Sequence, residues 1–136
     1  MQALTNPWLV GAAGAAYNCG ILVANVGFTE VEALARPDAL FSRDGQVSVL
    51  LWGAAYLASG THAKRGDAIW LVFALEKLFY VVRYVQWHSR HSVLKLFADA
   101  RKSGSMKALL VPLFYAAYGT GDALFGSLFL RLWLGA

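Results

Sequence analysis

The chain has 136 residues, a formal charge of +4, 58% hydrophobic residues and only 15% charged ones, with a mean hydropathy of +0.49. A small soluble domain exposes much of its surface and needs polar residues to cover it, so this composition argues against a soluble fold, while the length suits a single domain, 1–136. A single cysteine, Cys19, excludes an internal disulfide and any multi-cysteine metal site.

Four apolar blocks follow one another, at about Trp8 to Phe28, Val47 to Ala63, Ala68 to Trp87 and Ala108 to Leu134. Crossing a hydrocarbon layer about 30 Å thick takes roughly 20 helical residues. Blocks one, three and four meet that length, and the marginal second block is expected to tilt less or to thin the bilayer locally. The expected fold is all-α: an integral membrane four-helix bundle with a short interfacial helix between helices 3 and 4.

The opening MQALTNP holds no Lys or Arg, so the first block reads as a span rather than a cleaved signal. On its helix Gly11, Gly14, Asn18 and Asn25 share a face, and the small residues permit close helix approach. In the first connection, RPDALFSRDG begins with a Pro-Asp turn, and Asp44 and Gly45 are expected to stop one element and cap the next helix. Ser48, Trp52, Tyr56 and Ser59 share a face of the second span.

The third span contains FALEKLFYVVRY. Helical spacing places Glu76, Tyr80, Arg83, Tyr84 and Trp87 on one side, with Lys77 about 100° away at its edge. The following SVLKLFADARK mixes Val93, Leu94, Leu96 and Phe97 with Lys95, Asp99 and Arg101, the pattern of a helix lying on a membrane. In the fourth span Tyr115, Tyr118, Gly119, Asp122 and Gly126 share a face, and Pro112 is expected to kink the first turns.

Positive charge sets the expected orientation. The first and third connections hold Arg36, Arg43, Arg90, Lys95, Arg101, Lys102 and Lys107, against Lys64, Arg65 and Arg131 on the other side. That bias puts both long connections in the cytoplasm and both termini outside, in a bacterial-type inner (plasma) membrane. The same charges suit anionic lipid, so the basic balance calls for no nucleic acid.

Glu76 falls near the centre of its span, where a charge costs at least about 2.5 to 3.5 kcal/mol, so it is expected to face protein or water and to be partnered from another helix. If every polar stripe turns inward, the bundle encloses Asn18, Tyr56, Glu76, Tyr80, Tyr118 and Asp122. Glu76 and Asp122 are then the candidate acid/base pair. Asn18, Trp52, Tyr56, Tyr80, Arg83, Tyr84, Tyr115 and Tyr118 are the candidate ligand-binding residues. The aromatic faces would attract a cation. No cofactor motif and no metal site is read. GTGDALFG is not a phosphate loop, since no strand precedes it and its third glycine is misplaced. His62, His88 and His91 fall at span ends, where surface residues are expected.

Three functions fit this stripe. The first is an intramembrane cavity for a small amphiphile, lipid-like molecule or amine, with acid/base chemistry open to it. Four spans with buried carboxylates and aromatics are similar in architecture to the EXPERA group, which includes sterol isomerases and related binding proteins; that similarity carries no individual residue across. The second is a proton-coupled transporter acting as a dimer. The small multidrug transporters resemble the chain in length, span count and a membrane-embedded glutamate, although here Glu76 lies on the third span, with Lys77 and Arg83 opposing cationic cargo. The third is a non-catalytic accessory subunit of a larger membrane complex. The same residues, Glu76, Lys77, Arg83 and Asp122, also read as an ion network that only fixes packing.

Overall fold

Asn6 opens the first helix. Its Oδ1 accepts from the backbone N–H of Trp8 at 3.0 Å and of Leu9 at 3.3 Å, and Pro7 takes the first helical position, where its missing N–H leaves no bond unmade. The computed structural model describes residues 5–24 and 31–135. Within them lie six α-helices: α1 (Pro7–Ala24), α2 (Val31–Ala35), α3 (Arg43–His62), α4 (Ala68–His88), α5 (Val93–Lys102) and α6 (Leu110–Trp133). Short 3-10 turns occupy Ala39–Phe41 and Lys107–Leu109, and no strand occurs among the described residues. The expected end of the first span at Phe28 and Asn25 on its polar face lie outside the described residues.

The four long helices run antiparallel in chain order. α1 packs along α3, α4 packs along α6, and α1 also meets α6. Glycine sets the closeness of the first pair: a Cβ on Gly11 would strike the backbone carbonyl of Tyr56, and Gly60 lies beside it. In the second pair a Cβ on Gly119 would collide with the ring of Tyr84, so α4 lays an aromatic ring directly on the α6 backbone.

Two apolar clusters fill the bundle. One gathers Leu22, Leu34, Phe41, Tyr80, Trp87, Phe114, Tyr115 and Tyr118; the other gathers Val10, Tyr56, Trp70, Phe73, Phe129 and Leu132. Residues 31–43 and α5 sit at the end of the first cluster, where the Trp87 indole N–H donates to Pro37 O at 3.0 Å and the Tyr115 hydroxyl to Leu34 O at 2.8 Å. The 63–67 turn closes the opposite end, with Gly66 N–H donating to Leu132 O at 2.9 Å.

Several sequence expectations change at this level. α3 begins at Arg43 rather than Val47, because Ser42 holds the N-cap position and its carbonyl accepts from Gln46 N–H at 2.9 Å. Asp44 and Gly45 therefore lie inside the first turn instead of stopping the preceding element, and Asp44 there meets the positive end of the helix dipole. The five-residue α2 was not anticipated. Pro112 falls in the first turn of α6, straight after the 3-10 turn, where proline needs no helical partner for its nitrogen. Trp87, at the end of the polar face of its span, is buried. Lys77 is buried at the centre of the bundle rather than at an edge.

By length and composition, one stretch among the described residues, Lys107–Trp133, is long and apolar enough to cross a membrane. The described apolar part of α1, Pro7–Val23, is shorter. α4 carries Glu76, Lys77 and Arg83 in its 21 residues, and α3 opens on Arg43, Asp44 and Gln46.

Candidate functional site

Between the two apolar clusters lies a polar layer assembled from four helices. α4 supplies adjacent Glu76 and Lys77, α6 supplies Asp122, α1 supplies Asn18 and Tyr17, and α3 supplies Tyr56. Lys77 is the hub. Its Nζ donates to Asp122 Oδ1 at 2.7 Å and to Asn18 Oδ1 at 2.8 Å, and it stands 3.9 Å from Glu76 Oε2. The Asn18 amide donates in turn to Val49 O at 2.9 Å. The Tyr56 hydroxyl donates to Glu76 Oε2.

Three aromatic faces complete the enclosure. Lys77 Nζ lies 5.3 Å from the ring centres of Tyr17 and Tyr56 and 5.8 Å from that of Tyr80, distances at which a ring face attracts a cation. Room for the lysine stem comes from Gly126, where an added Cβ would lie 3.1 Å from Lys77 Cβ. Lys77 and Asp122 are 2% and 5% exposed, so water does little to screen their attraction.

Charge counting gives the layer a second property. One ammonium faces two carboxylates, which leaves a surplus negative charge unless one proton is held among them. Asp122 is the close partner of Lys77 and Glu76 the distant one. Glu76 Oε1 is also buried without a hydrogen-bond partner, so Glu76 is the less well partnered of the two carboxylates.

Little space remains inside. The void lined by Tyr17, Asn18, Lys77, Tyr80, Tyr118 and Asp122 measures about 20 Å³, room for about one water. The cage of carboxylates and rings that sequence reasoning assigns to an external amine is thus filled by the ammonium of Lys77 itself. A larger space opens on the outer side of the bundle. A groove of about 300 Å³ runs between α4 and α6, walled by Leu75, Leu78, Val81, Ala123 and Gly126, and Asp122 also lines it.

Of the sequence-predicted site residues, Asn18, Tyr56, Glu76, Tyr80 and Asp122 meet around Lys77, and Tyr118 borders the small void with its hydroxyl unpartnered. The others lie elsewhere. Trp52 packs edge-on against Phe73 at 6.2 Å, and Arg83 faces Asp38 at 3.4 Å. Tyr84 donates to Ala116 O at 3.0 Å, while Tyr115 is tied to Leu34. Sequence reasoning missed Tyr17, whose hydroxyl donates to Tyr118 O at 2.6 Å. The signal was present: 14, 17, 18 and 21 follow the three-and-four spacing of one helix face. Among the described residues, no group of three His, Cys, Asp or Glu side chains is placed to hold a metal ion.

In comparisons with known proteins, the chain matches no family model, and no curated protein or solved structure shows significant similarity to it.

Proposed function

We propose that the chain is a multi-pass membrane protein that binds a single-chain amphiphile with a cationic head in the outer groove between α4 and α6, by binding rather than by catalysis. One observation carries this reading: a buried layer of charged and polar side chains lies inside a surface that carries many exposed apolar ones. Lys77, Asp122, Asn18 and Glu76 are buried, while Val23, Leu51, Val72, Leu75, Leu78, Phe79, Val82, Val85 and Leu124 are exposed. In water such a belt would be a large apolar patch of the kind monomeric soluble proteins avoid. In lipid it is the expected surface, and buried charges that pair with one another are the expected interior. On this reading α1, α3, α4 and α6 cross the bilayer and the amphipathic α5 lies in the interface.

The groove suits the ligand class in shape and charge. Its walls are aliphatic, its volume falls at the lower end of small-molecule sites, and Asp122 is its acidic residue. Asp122 would meet a cationic head from the groove side while Lys77 holds it from within the bundle. Glu76 does not line the groove, so the two carboxylates are not offered to one substrate, which favours binding over acid/base turnover. For a transporter, Lys77 already takes the place that a cationic cargo would need.

A second reading rests on the small residues of the same groove. Ala74, Ala123, Gly126 and Ser127 would let a helix of a membrane partner approach closely, as an accessory subunit requires.

Thermal unfolding of the purified protein in detergent, with octadecylamine or octadecanol added, separates the two. We expect octadecylamine to raise the unfolding temperature more than octadecanol, and Ala123→Trp, which fills the groove from an exposed position, to abolish the effect. An unchanged amine response in Ala123→Trp would remove the groove as the site.

A further inference from the structure

A second pocket, of about 220 Å³, lies where the last turns of α4 meet residues 37–39, far along α4 from Lys77; Pro37, Asp38, Arg83, Gln86, Arg90 and His91 are among its lining residues. We propose that this pocket binds a phosphate group, held by the guanidinium groups of Arg83 and Arg90 and the amide of Gln86. The proposal does not depend on the amphiphile groove.

The chemistry of the lining points to an oxyanion. Two guanidinium groups face a single carboxylate, Asp38, which is already engaged. Asp38 Oδ1 accepts from Leu40 N–H at 2.9 Å and lies 3.4 Å from Arg83 Nη2. Arg83 keeps donors in reserve: Asp38 engages one terminal nitrogen, and the side chain is 40% exposed. A guanidinium has five N–H donors in a planar fork, so one contact to Asp38 leaves others for the oxygens of a phosphate. Arg90 is exposed at the end of α4 and brings the second positive charge.

The pocket is preformed. The Trp87 indole N–H holds Pro37 O at 3.0 Å, fixing the 37–39 segment against the helix. The His91 ring stacks on Trp87 with centroids 5.0 Å apart and planes 12° from parallel. Little ordering is therefore left for binding to impose. Val82 and Val85, on the same turns of α4, are exposed, which gives the acyl chain of a phosphate-bearing lipid an apolar surface to lie on. A lipid headgroup and a free phosphate share this chemistry, and the experiment distinguishes them.

The full-length protein in a nonionic detergent is titrated with phosphatidic acid, with diacylglycerol as the phosphate-free lipid and with inorganic phosphate, reading the unfolding temperature. We expect phosphatidic acid to raise it, diacylglycerol to leave it unchanged, and the Arg83→Gln/Arg90→Gln variant to need about tenfold or more lipid for the same shift, since two charged hydrogen-bond donors are lost. Arg90→Gln alone, at an exposed position, should show part of that loss if the double variant folds poorly. The Arg101→Gln/Lys102→Gln variant removes equal charge from exposed positions on α5 and should respond like the unaltered protein. An equal shift with inorganic phosphate, lost in the same variant, supports the site with a soluble phosphate as its source. No shift with either phosphate probe, or an equal loss in the α5 variant, overturns the proposal.

Discussion

Lys77 Nζ and Asp122 Oδ1 lie 2.7 Å apart across the contact between α4 and α6. This pair joins the two halves of the bundle, because Lys77 also reaches Asn18 on α1 at 2.8 Å.

Removing the ammonium should be severe. Lys77→Met leaves Asp122 and Glu76 buried without their counter-charge, at a cost of about 3 to 5 kcal/mol. Adding Asp122→Leu removes the orphaned carboxylate and should restore most of the stability. Thermal unfolding of the purified single and double variants in detergent checks this; a double variant no more stable than Lys77→Met would show that the pair is not the brace.

The two carboxylates should respond differently. Glu76→Gln keeps the size of the side chain and an acceptor for Tyr56, and Lys77 retains Asp122, so we expect a change within about 1 kcal/mol, the net value of a typical hydrogen bond. Asp122→Asn removes the nearer charge and should cost at least twice as much. Equal losses in denaturant or heat unfolding would contradict the charge assignment.

Packing of α1 on α3 depends on a missing side chain. Gly11→Val drives a branched group into the carbonyl of Tyr56, and overpacking of this kind costs about 1 to 3 kcal/mol or more. Gly20 lies on the same helix, and a Cβ there would meet nothing within 4 Å. Gly20→Ala should be neutral or stabilise by up to about 1 kcal/mol. The two unfolding midpoints, compared with the unaltered protein, should move in these different ways; a harmless Gly11→Val would exclude the close helix contact.

On the proposed membrane reading, the orientation is open to labelling. Ser103 and Thr61 are exposed at opposite ends of the bundle. In a Cys19→Ala background, Thr61→Cys should react with an impermeant maleimide applied to intact cells, and Ser103→Cys only after lysis. Reaction of Ser103→Cys alone from outside would reverse the topology.

Much of the fold was legible along the chain. The apolar blocks foretold α1, α3, α4 and α6, and the three-and-four spacing put Tyr56, Glu76, Tyr80 and Asp122 on faces that do meet. Local signals misled at the start of α3, where Ser42 rather than Asp44 holds the cap position, because the carbonyl that accepts the first helical bond is chosen by how the 38–42 turn packs.

By itself, then, the sequence determined helices, their polar faces and the need for buried charges to find partners, all of which follow from 3.6-residue periodicity and the cost of burying charge. Tertiary structure alone decided that Lys77 is the hub. On an isolated helix it stands 100° from Glu76, at the margin of the polar face. Two helix pairs packed against each other bury a wider arc than one stripe, however, and Gly126 lets the lysine stem pass close to α6. Its ammonium then reaches Asn18, Asp122 and the three tyrosine rings, and fills the space that the pattern of carboxylates and aromatics had left for a ligand.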